Sequence, residues 1–132
     1  MRPVIVKDLT TQQLIAGRGY VTQGLERAIG LLSRNTFHEG EALIIPRCDA
    51  IHTWFMRFPI DVLFLRQGVV VKALPAVGPF HVVASSGAET VIELPVGTIQ
   101  RSGVVVGHRL EWSVLRRELG GKPLDKIATG WV

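Results

Sequence analysis

One stretch of this 132-residue chain sets a thiol, an imidazole and a carboxylate among a dense run of aromatic side chains. Cys48, His52 and Asp61 lie close together in sequence, interleaved with Trp54, Phe55, Met56 and Phe58. A thiol, an imidazole and a carboxylate are the parts of a nucleophile, base and orienting group. Thiol and imidazole are also zinc ligands. Both readings meet a geometric obstacle. In an extended segment the Cα atoms of Cys48 and His52 would lie about 13 Å apart, at 3.3 Å per residue. Only a turn at Asp49-Ala50 would let them share a proton or a metal. No second cysteine or nearby histidine completes a tetrahedral set. A reactive thiol needs a neighbouring cation or a helix N-terminus, and Arg47 would point to the opposite face of a strand. Cys48 reads most simply as a small buried hydrophobe.

Asp61 sits between Ile60 and Val62, where an unpaired carboxylate is costly to bury. Arg34 and Arg57 are the expected partners, with His52 a third. A cap on backbone N–H groups and a polar anchor in a pocket are the alternatives. Trp54, Met56 and Phe58 share a face with His52 if the segment is a strand. That face is either core or the wall of an apolar cleft with His52 as its polar handle. His81 and His108 fall in separate strands and read as surface or satisfied core residues.

Two functional readings follow. The first is a non-catalytic binding module for a small molecule or a partner segment, with Arg34, Cys48, His52, Trp54 and Asp61 as ligand-binding candidates. The second is a small hydrolase or metal-assisted enzyme using His52, Asp61 and Cys48. The chain has no nucleophile elbow, no H-E-x-x-H and no phosphate loop. The first reading asks for less, and it calls for no cofactor and no metal. Both require the polar members of the segment to converge in space.

The elements that must position these groups are short. Glycines and prolines punctuate the whole chain, and turn signals every 8–12 residues suggest an all-β sandwich or barrel. Strands are predicted at Pro3–Lys7, Gln13–Ala16, Ala42–Ile45, His52–Phe58, Ile60–Arg66, Val69–Leu74, Phe80–Ala84, Ala88–Leu94 and His108–Val114. Pro59 divides two of them, because proline cannot donate to a ladder. Ile60–Leu65 is apolar apart from Asp61, so both its faces should be covered. Ala88–Leu94 alternates imperfectly, with Glu89 and Glu93 on one face, and reads as half-buried. Thr22–Ser33 is the helix candidate, with Thr22 as N-cap and Leu25, Ile29 and Leu32 as its buried stripe. Residues 98–107 should hold a short helical turn or loop.

Composition sets the outer bounds. Hydrophobic residues make up 47% and charged residues 20%, which suits a globular domain and not a disordered chain. A single cysteine excludes an internal disulfide, so a reducing, cytoplasmic compartment is expected. No apolar run approaches the roughly 20 residues that span a bilayer, and no signal-peptide pattern opens the chain. The formal net charge is +4. Its basic residues are scattered, which is not the stripe of a nucleic-acid binder. One domain is expected over residues 1–132: an N-terminal hairpin at 1–19, a core at 20–113 and a partly mobile tail at 114–132.

Gly30-Leu31-Leu32-Ser33-Arg34, the block from Cys48 to Asp61, and Val91-Ile92-Glu93-Leu94-Pro95-Val96-Gly97 together resemble the family called domain of unknown function 192. The Ile-His-Thr-aromatic-x-Met-x-Phe-Pro-Ile-Asp block carries the resemblance most strongly. It implies a small, mostly β fold with one short helix near the start, either a jelly-roll-like sandwich or a partly open barrel. It implies no activity, substrate or cofactor. The chain has Arg66 and Gly107-His108 where the family tends to carry acidic residues, so a site built on those carboxylates would be altered.

Overall fold

The structure, a computed structural model, describes residues 2–22, 36–54, 56–115 and 126–129. The described strands are β1 (Arg2–Asp8), β2 (Gln13–Val21), β3 (Glu41–Pro46), β4 (Ala50–His52), β5 (Ile60–Arg66), β6 (Val69–Val77), β7 (Val82–Ala84), β8 (Thr90–Pro95), β9 (Leu110–Leu115) and β10 (Lys126–Thr129). One short helix, α1 (Thr98–Ser102), follows β8. Eight strands form one sheet in the order β10-β9-β1-β2-β3-β8-β5-β6, and β4 and β7 pair as a separate ribbon.

The large sheet curls. Val70 and Leu110 donate backbone hydrogen bonds to His108 and Gly68, and Gly107 donates to Val70. These bonds hook the start of β6 back to the entry of β9. The result is a mostly β, partly open barrel. Its inner face is filled by Val4, Val6, Ile44, Leu63, Leu65, Ile92, Leu94, Leu110 and Trp112, among others. Close packing there needs Gly19, where an added Cβ would come within 3.1 Å of the Val4 side chain and carbonyl.

Strand alternation sends every second residue to the other face. Leu43, Ile45, Ile60, Val62, Phe64 and Val91 form a second apolar layer there, completed by Cys48, Met56 and Val77. The β4–β7 ribbon covers part of this layer. Ile51 and Val83 pair across the ribbon and pack inward on the second layer. The opposite face of the ribbon carries His52 and Val82, which also pair and are exposed.

Several expectations from sequence change. His52–Phe58 is not a strand: β4 ends at His52 and a turn follows. The expected common face of His52, Trp54, Met56 and Phe58 therefore breaks up, with Trp54 exposed, Met56 buried and Phe58 half-buried. β2 does not stop at Gly17 but runs to Val21. β8 is buried on both faces, not half-buried. Lys126–Thr129 of the tail forms an edge strand on β9. The helix expected over Thr22–Ser33 falls, after Thr22, outside the described residues, as do Arg34 and residues 116–125 and 130–132.

Candidate functional site

The motif-bearing segment is organised by Thr53, a fully buried residue. Its hydroxyl donates to the Gly78 carbonyl (2.7 Å) and accepts from the His81 N–H (2.9 Å). Its own N–H donates to the His81 carbonyl, and its carbonyl accepts from the N–H groups of Phe80 and Met56. The side chain and the backbone N–H and C=O of this one residue thus lock the turn after β4 to the loop before β7. The lock sets Trp54 against Phe80, with ring centroids 5.8 Å apart in an edge-to-face arrangement. Phe80 is held at φ +64°, a conformation that costs a bulky residue free energy and persists only where surrounding bonds impose it.

The consequence is an aromatic ledge. Phe80 and Val82 are about two-thirds exposed, at 65% and 66%, and Trp54 is 43% exposed. His52 lies beside Val82 on the same outward face of the ribbon. A buried core would be the default home for such side chains.

The other residues singled out from sequence lie elsewhere. Cys48 is buried in the second apolar layer, and its thiol donates to the Ala50 carbonyl at 3.1 Å. Asp61 pairs with Leu94 across β5 and β8, and so belongs to the inner-face side of the sheet, opposite Val62. Its carboxylate accepts from the N–H groups of Ala76 and Ile99, both at 2.9 Å. It fastens the irregular end of β6 and the start of α1. Two main-chain amides hold the carboxylate, which is the backbone-cap alternative. His52 and Asp61 therefore do not converge. The three groups of the enzyme reading face three environments: solvent for His52, the second layer for Cys48, and a backbone cap for Asp61. Arg34 lies outside the described residues.

The sequence reading passed over Glu93. It sits on β8 between Leu43 of β3 and Val62 of β5, facing the second apolar layer, and is only 7% exposed. Burial pushes its carboxyl up to about 7. Its neighbour on the same face, Val91, is fully buried. An apolar residue between Glu89 and Glu93 on a face read as solvent-exposed was the available signal. His108 is satisfied by Asp8, Nδ1 to Oδ2 at 2.8 Å. Among the described residues no three His, Cys, Asp or Glu side chains gather to hold a metal.

With this geometry in view, comparison with known proteins is informative. The family model for domain of unknown function 192, described as "Uncharacterized ACR", matches residues 19–112. A UPF0127 protein of Pyrococcus abyssi is 37% identical over 93 residues, covering 67% of this chain and 79% of the archaeal one. A UPF0127 protein of Pyrococcus furiosus is 38% identical over 65 residues, covering 48% and 56% respectively. A crystal structure from Novosphingobium aromaticivorans, of a protein of unknown function, aligns with a TM-score of 0.70 at 22% identity, over 83% of this chain and 84% of the other. At that identity the likeness speaks for the fold alone.

Proposed function

The chain belongs to the uncharacterised family of domain of unknown function 192, and within it we propose a non-catalytic binding module that docks an apolar or aromatic segment of a partner protein on the ribbon ledge. The reading is carried by the exposed Trp54–Phe80 pair, held in a fixed and strained geometry by the Thr53 bonds. Exposed apolar patches mark interaction surfaces, and rigid aromatic anchors dominate binding energy at them. The ledge is open, with Phe80 about two-thirds and Trp54 less than half exposed. Small-molecule sites enclose most of their ligand, so openness favours a partner segment. His52 at the rim supplies a polar handle. A buried single cysteine fits a reducing, cytoplasmic setting, and no described helix is long and apolar enough to cross a membrane.

Selection of a displayed peptide library on the full chain tests this. Selected peptides should carry aromatic or branched apolar residues, and Trp54→Ala should weaken their binding by about 2 kcal/mol or more, as for an interface hot spot. Peptides that bind Trp54→Ala and Phe80→Ala as tightly as the native chain would refute the ledge.

A further inference from the structure

The ribbon has an open strand edge. In an antiparallel pair every second residue turns both its N–H and its C=O toward the partner strand, and the residues between turn theirs away. Ser85 donates to the Asp49 carbonyl and Thr53 to the His81 carbonyl, and both bonds continue the register of the Ile51–Val83 pair. Val83 therefore directs its peptide groups at β4, and those of Val82 and Ala84 point outward from β7. Lys72 confirms the phase, since its Nζ donates to the Ala84 carbonyl at 2.8 Å. On the opposite edge the Cys48 thiol reaches the Ala50 carbonyl in the same way. Among the described residues β7 pairs with β4 alone. The Val82 N–H and C=O and the Ala84 N–H thus have no partner among the described residues, and Val82 is about two-thirds exposed.

Strand edges are ordinarily blunted by proline, charge, bulges or cover. The β6 edge of the large sheet follows that rule: it carries Pro75, its register against β5 shifts twice, and its start is hooked to Gly107 and His108. β7 is Val-Val-Ala, with no proline, no charge and no register shift against β4. Open backbone donors and acceptors are met by another extended backbone. The surrounding side chains state what that backbone carries. A residue set opposite Val82 places its side chain on the outward face, in the row of Val82 and His52 beside the ledge. Its neighbours face inward, where Lys72 stands: Lys72 pairs with Phe64, a member of the layer beneath the ribbon. An ammonium has three donors, and Ala84 takes one of them. An acidic side chain at the neighbouring position suits the others. A second copy of this chain suits the edge poorly, because three residues a side fall far short of the roughly 20–30 of a stable interface.

We infer that the partner segment docks as a third strand of the ribbon, on the outer edge of β7, with an apolar residue opposite Val82 and an acidic residue beside it over Lys72. The inference rests on the ledge as the docking surface, and adds the backbone conformation and the charge of what docks there.

Peptides selected on the full chain from a displayed library test it, each remade with a single N-methyl group at successive positions. Methylation should weaken binding by about tenfold or more at one position, or at positions two apart, and leave adjacent positions unchanged, which is the period of a strand. Val82→Pro removes the outward N–H at a place where an edge strand accepts proline. It should weaken the same peptides by about tenfold or more while the melting temperature of the free chain holds. On reselection, Lys72→Glu should exchange the acidic preference for a basic one. A flat methyl scan in peptides that Trp54→Ala still weakens would overturn the strand and spare the ledge. Sensitivity to alternate methyl groups and to Val82→Pro, but not to Trp54→Ala, would uphold the strand and overturn the ledge. Recovery of no peptide would overturn both. A chain that dimerises in sedimentation, and ceases to in Val82→Pro, would give the edge to a second copy and overturn the assignment.

Discussion

The two faces of the eight-stranded sheet are built from the same strands by the same alternation, yet they differ in kind. The inner face is packed with aliphatic side chains, closed by the curl and finished by Trp112, and its buried carboxylate, Asp61, is held by two backbone amides. The outer face bears Glu93 and Cys48, and the ribbon with the motif segment lies over it. Strand β8 shows the contrast residue by residue: Ile92 and Leu94 go inward, while Val91 and Glu93 go outward. On the inner face the buried carboxylate fastens the end of β6 to the start of α1. The outer face keeps Glu93 among apolar neighbours, where burial raises its carboxyl to about 7.

That contrast can be broken at several points. The largest effect should come from the inner face, where Trp112→Ala should cost about 3–5 kcal/mol in denaturant unfolding. A loss below about 1 kcal/mol, the size of an ordinary surface-to-core average, would mean the inner layer is not the structural one. Asp61→Ala strips acceptors from the Ala76 and Ile99 amides and should cost about 3–6 kcal/mol, two charge-assisted bonds at roughly 1.5–3 each. Asp61→Asn should recover part of that.

Glu93 gives a test that only the outer face can answer. Its folded pKa, about 7, lies above the ordinary value of 4.5, so the folded state binds the proton more tightly than the unfolded chain. The neutral form therefore carries the stability. This contribution is intact below about 4.5 and is lost as pH rises to about 7, a total of about 3 kcal/mol. The native chain minus Glu93→Gln should show that falling difference across the window, and a flat difference would mean the carboxyl is solvated or paired. Thr53→Val removes the hydroxyl that joins Gly78 and His81, and should cost about 1–3 kcal/mol. Its sharper readout is loss of the Trp54–Phe80 contact in aromatic NMR shifts. Smallest of all, Trp54→Ala should change stability by no more than about 0.5 kcal/mol, because the ledge is surface and not core.

The strands of the large sheet were legible where their chemistry is local. Ile60–Arg66 is an apolar run that can only be covered on both sides, and the Gln67-Gly68 turn and the strand after it followed from ordinary turn residues. The segment from His52 to Phe58 was not legible as a turn. Its bend depends on Thr53 reaching Gly78 and His81, 25 and 28 residues away, and nothing between His52 and Phe58 states that pairing. Asp61 was recognised as a buried carboxylate in need of partners, but main-chain amides leave no trace in composition, so charged side chains were the expectation. Glu93 was missed for a related reason. A glutamate alternating with apolar residues reads as facing solvent, and only the layer lying over that face reverses the reading.

The unequal character of the two faces rests on one ionisation, so site-resolved carbon NMR of the Glu93 carboxyl against pH tests it most directly. The account predicts a midpoint near 7 in the full chain. A midpoint at or below the ordinary glutamate value of 4.5 would show the carboxyl partnered or solvated, and would contradict the contrast.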